Sequence, residues 1–114
     1  MADFMSKEKG DIAEKKAISF LEKSNFEIVE KNFYAKKLGE IDIIAQRNKI
    51  YHFIEVKSAN DYETAINNIT SQKLSKIKRS ADFYIQKNNL NISYSIDVII
   101  VVDDKIELLE NITM

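Results

Sequence analysis

Gly39-Glu40-Ile41-Asp42 and, after a short polar turn, Phe53-Ile54-Glu55-Val56-Lys57 decide how this chain is read. Strand side chains alternate between the two faces of a sheet. Glu40, Asp42 and Ile44 therefore share one face of a first strand. On the next strand Tyr51, Phe53, Glu55 and Lys57 share a face, and Ile50, His52, Ile54 and Val56 take the other. Twelve residues separate Asp42 from Glu55, with turn-like Gln46-Arg47-Asn48-Lys49 midway. A hairpin of that length folds the two acids toward each other. Charges that interrupt apolar strands are seldom buried unless they are paired or bound to metal.

That pattern has a chemical rationale. Hard divalent cations such as Mg²⁺ prefer oxygen ligands and commonly take one or two carboxylates, completed by water and substrate phosphate. Asp42 and Glu55 supply such an anchor. Lys57 points into the same place, where an ammonium can act on an attacking water or on charge building at a phosphate. The competing explanation is a solvated sheet surface on which Asp42 and Glu55 simply pair with Lys57.

The 114 residues suit one domain with one core, spanning 1–114. There is no cysteine, so disulfides, thiolate metal sites and cysteine nucleophiles are excluded. His52, the only histidine, falls on the face opposite Glu55 and reads as structural. No apolar run approaches the ~20 residues of a membrane span. The first ten residues are polar, unlike a signal peptide, and the expected location is cytoplasmic.

A net charge of −1 makes no general case for nucleic acid, but its distribution does more. Between Ile69 and Asn88 five basic residues face one acid, and Lys73, Lys76 and Arg79 are related by helical steps of three and four. These three are the candidate phosphate contacts.

Periodicity predicts the order α-β-β-β-α-β-β. A helix runs from about Ser6 to Ser24, with Ala13, Ala17, Phe20 and Leu21 as its apolar stripe and Glu14 at the stripe's edge. Strands follow at Phe26–Tyr34, Gly39–Gln46 and Ile50–Lys57, joined by short turns as an antiparallel meander. Ser58–Thr64 reads as a polar loop, and Ala65–Lys87 as one long helix with Lys73 near its inward stripe. Ser93–Val102 is the most apolar stretch and reads as a buried central strand. The long helix serves as a crossover, so this strand can lie parallel to a neighbour. Lys105–Ile112 is an edge strand. The expected architecture is a mixed sheet flanked by helices.

The chain resembles the YraN-like proteins, a bacterial family grouped with the PD-(D/E)XK nuclease-like superfamily. The resemblance covers about residues 10 to 101. It is carried by Gly10, Glu14 and Ala17, by Lys31-Asn32, by Gly39-Glu40-Ile41-Asp42-Ile43-Ile44-Ala45 and by Phe53-Ile54-Glu55-Val56-Lys57, with weaker support from Lys73 and Asp97-Val98. It implies a restriction-endonuclease-like core and a Mg²⁺- or Mn²⁺-dependent endonuclease acting on DNA. Asp42, Glu55 and Lys57 would be the acids and lysine of the signature, Glu14 an additional helix acid, and the Val56 carbonyl a further metal ligand. The chain departs from the family at three places. Tyr94-Ser95-Ile96 precede Asp97 where an arginine is usual, Leu74 replaces a glutamine after Lys73, and the loop after Lys57 lacks its arginine and glycine. These losses touch substrate contacts more than the metal site. The alternative function is a nucleic-acid-binding or partner-recruiting module that keeps the fold without turnover. A homodimer is compatible with either.

Overall fold

The computed structural model describes residues 2–112, with side chains from Glu8 onward. Its elements run α1 (Ala2–Lys23), β1 (Glu27–Tyr34), a 3₁₀ turn (Lys36–Leu38), β2 (Glu40–Arg47), β3 (Ile50–Ser58), α2 (Tyr62–Asn67), α3 (Ser71–Lys87), β4 (Ser93–Val102) and β5 (Lys105–Leu109). The five strands form one sheet in chain order. All neighbours pair antiparallel except β3 and β4, which run parallel from Ile50↔Ser93 to Ser58↔Val101.

The alternation read from sequence builds both faces of this sheet. On one face Ala13, Ala17 and Leu21 of α1 pack on Ile43, Ala45, Ile54, Ile99 and Val101. Small side chains at positions 13 and 17 let the helix lie close to the strands. On the other face Leu74, Ile77, Ala81 and Tyr84 of α3 cover Ile44, Phe53, Ile96, Val98 and Ile100. The result is a three-layer α/β/α arrangement in which β3 and β4 are buried on both sides, as apolar runs of this kind require.

Four expectations need correction. The helix placed at Ala65–Lys87 is two helices. Asp61 caps the first by accepting from the Thr64 amide, so α2 begins inside the stretch read as loop. Thr70 caps the second, its hydroxyl accepting from the Lys73 amide. Such side-chain oxygens satisfy amides left free at helix starts. Lys73 is not inward: it is exposed, and Leu74 and Ile77 hold the buried stripe. Finally, the β1 alternation breaks at a register shift between Ile28 and Glu30, an extra residue in the ladder, and β5 stops at Leu109.

His52 is structural, as its face suggested. Its Nδ1 meets Asp97 Oδ2 in the buried core, and the other oxygen of Asp97 accepts from Ser95 Oγ and from the Asn111 amide. A carboxylate with no exposure needs such partners.

Candidate metal centre and nucleic-acid interface

The site forms where two ladders part. Pairing of β2 with β3 runs to Ile43↔Ile54 at that end, whereas β3 stays paired with β4 through Ser58. At the opening the Asp42 side chain replaces a ladder partner, and its Oδ2 accepts from the Val56 amide at 2.8 Å. Asp42 and Glu55, next in register, therefore lie side by side. Together with Glu14, Lys57 and Val56 they line a cleft of about 370 Å³ between α1 and the ends of the strands.

The electrostatics of this cleft are strained. Loss of solvent pushes the Asp42 carboxyl up from 3.8 to about 6, the Val56 amide pulls it back, and Glu55, Glu14 and Glu40 add to the rise. Glu55 Oε1 lies 3.8 Å from Lys57 Nζ, a loose ion pair. Its other oxygen, Oε2, is buried and has no hydrogen-bond partner. A buried carboxylate oxygen left bare is costly and calls for a ligand.

Lys73 reaches the same region from α3. Its ammonium donates to the Asn68 carbonyl at 3.1 Å, and the nearby Lys57 ammonium, followed by partial desolvation, lowers its pKa against an opposing pull from Glu55. Lys76 and Arg79 continue the exposed strip along α3. Lys76 Cβ lies 3.9 Å from where a β-carbon on Gly39 would stand, which sets the strip beside the start of β2.

The structure thus brings Asp42, Glu55, Val56, Lys57 and Glu14 together, with Lys73 beside them and Lys76 and Arg79 further along. Among the described residues no three His, Cys, Asp or Glu side chains form a ready-made ligand set. A cation here would rest on two carboxylates, and all-oxygen donors with a bare Glu55 Oε2 would suit a hard ion completed by water. Sequence reasoning gave no role to Asn32, whose amide donates to Glu14 Oε1 at 3.0 Å. The available signal was an asparagine, a poor strand former, inside a strand.

A mixed five-stranded sheet between helices, with paired acids and a lysine at the opening of β2 and β3, is compatible with a restriction-endonuclease-like core. The chain belongs to the uncharacterised protein family UPF0102, the YraN-like proteins, whose model matches residues 13–101. It is 99% identical to a UPF0102 protein of Aliarcobacter butzleri over 96% of this chain and all of that one. A UPF0102 protein of Sulfurimonas denitrificans is 51% identical over 96% of this chain and its own full length. One from a Sulfurovum species is 43% identical over 92% of this chain and 93% of its own.

Proposed function

We propose that the protein is a metal-dependent endonuclease that hydrolyses phosphodiester bonds in DNA in the cytoplasm, with Mg²⁺ or Mn²⁺ held by Asp42, Glu55 and the Val56 carbonyl. The observation that carries this reading is the buried, unpartnered Glu55 Oε2 beside an Asp42 whose carboxyl is raised to about 6. Two acids forced together are stabilised by a cation. When bound, such an ion activates water and offsets charge on phosphate.

The chain's own residues supply the rest. Val56 N–H fixes the Asp42 carboxylate, and Lys57 stands within reach of a water or phosphate above Glu55. Lys73, Lys76 and Arg79, in one strip along α3, receive backbone phosphates beside the site. A second reading, a binding module without turnover, draws on the Lys57–Glu55 ion pair, which gives the site a cation of its own.

The test titrates Mn²⁺ and Mg²⁺ into the pure protein and into an Asp42→Asn, Glu55→Gln double variant, then compares linear, branched and single-stranded DNA. At a hundredfold excess over Kd, Mn²⁺ should stabilise the wild type by about 2.7 kcal/mol and leave the double variant unmoved. Equal responses would sink the metal site. Metal binding without cleavage of any substrate would favour the binding module.

A further inference from the structure

Asn32 lies in the middle of β1 with φ 54, a left-handed conformation that L-residues rarely take and asparagine tolerates best. Its neighbours Lys31 and Phe33 pair with Ile43 and Ile41, so Asn32 stands across the ladder from Asp42. From there its amide crosses to α1 and donates to Glu14 Oε1 at 3.0 Å. Glu14 in turn lines the cleft with Asp42 and Glu55.

We infer that Asn32 is a positioning residue that holds the Glu14 carboxylate at the rim of the Asp42–Glu55 cleft, making Glu14 a partner of the cation bound there. This rests on the metal reading above. The choice of donor is informative. Glu14 shares the cleft with Asp42 and Glu55, and its charge and that of an ionised Asp42 repel, so an unrestrained side chain would swing toward solvent. A lysine could restrain it but would also neutralise it. A neutral amide fixes the carboxylate and leaves its full charge for a cation or for water on that cation. The unfavourable backbone of Asn32 fits the same purpose, since strained residues persist where the surroundings over-determine them, often at functional sites.

The experiment measures Mn²⁺ affinity by electron paramagnetic resonance, with thermal melts of the metal-free proteins alongside. Asn32→Gly keeps the left-handed backbone and removes the amide. It should melt near the wild type and bind Mn²⁺ about 10-fold or more weakly, within the range for lost outer-sphere partners. Asn32→Asp, which sets a carboxylate against Glu14, should bind more weakly still. Glu14→Ala should lose affinity too, and adding Asn32→Gly to it should cost nothing further, because the amide acts through Glu14. Wild-type affinity in Asn32→Gly would overturn the inference while leaving the metal site standing. The same fold loss with and without Glu14 would overturn it as well. A wild type that binds no Mn²⁺ would overturn the metal reading and this inference with it.

Discussion

Replacing Asp42 with Asn should make the metal-free protein more stable at neutral pH. The folded carboxyl is held at about 6 against an ordinary 3.8, so the folded state binds its proton more tightly than the unfolded chain does. For an acid with a raised pKa the linkage runs opposite to the usual carboxylate case. The contribution is present below 3.8 and is lost as pH rises toward and past 6. One pKa unit corresponds to ~1.4 kcal/mol, so the full difference is roughly 3 kcal/mol, and water at the cleft mouth reduces it to about 1–3. Asparagine keeps an oxygen to accept from the Val56 amide and turns its NH₂ toward neighbouring acids in place of a negative charge.

Urea unfolding in EDTA, repeated from pH 4 to pH 8, reads this directly. Wild type and Asp42→Asn should differ least at pH 4, where both folded side chains are neutral although the unfolded aspartate is already about half ionised. The variant should then gain, reaching its full advantage above pH 6. The comparison cancels the titration of groups that do not interact with Asp42, and leaves its coupling to Glu55, Glu14 and Glu40 in the difference. A variant less stable than wild type at pH 7, or a difference that does not change with pH, would refute the argument that Asp42 is held in an unfavourable ionised state.

The other expectations concern catalysis, binding and the backbone. Lys57→Ala should leave Mn²⁺ binding nearly intact and slow cleavage by ~10²–10³-fold, the usual loss when one group stabilising transition-state charge is removed; single-turnover rates check this, and full cleavage would refute it. Lys57→Arg should rescue poorly, because a planar guanidinium does not replace a compact ammonium. Removing Lys76 and Arg79 together should weaken duplex binding for all sequences and flatten the log–log salt dependence by roughly 0.9 per lost phosphate contact, measured by fluorescence anisotropy at several salt concentrations. Gly39→Ala should destabilise by about 1–3 kcal/mol in urea melts, since Gly39 has φ 137 and ψ −159 and its new β-carbon would meet the buried Ser80 Oγ at 3.3 Å.

Much of the sheet was legible because burial enforces alternation. That Ile43 and Ile44, and likewise Phe53 and Ile54, take opposite faces follows from period two alone; which helix covers each face does not. The same alternation, folded back at the turn, sets Asp42 toward Glu55. The break between α2 and α3 was not legible from periodicity, because Ile66, Ile69, Leu74 and Ile77 keep near-helical spacing across it. Only Asp61 and Thr70 as caps marked the two starts. The extra residue in β1 and the left-handed Asn32 left no hydrophobic signature either, since both are backbone events whose meaning depends on what lies across the ladder. The Val56 amide bond to Asp42 belongs to the same class.

The charge balance of the cleft bears on how a chain with net charge −1 would present the proposed site to a polyanion. Asp11, Glu14, Asp42 and Glu55 set four carboxylates against the ammoniums of Lys57 and the nearby Lys73, so the bare cleft carries about two excess negative charges once Asp42 ionises. In that state it repels phosphate. A divalent ion would cancel that excess and leave the two lysines to face a ligand, while Lys76 and Arg79 extend the basic strip along α3. Local arrangement, not the total, sets the field that a phosphate meets. The sheet makes this tolerable. β3 is braced by β4 as far as Ser58, past Glu55 and Lys57, so repulsion from the neighbouring acids is not relieved by moving the strand that bears Glu55. The strain stays in the side chains, where a cation can relieve it.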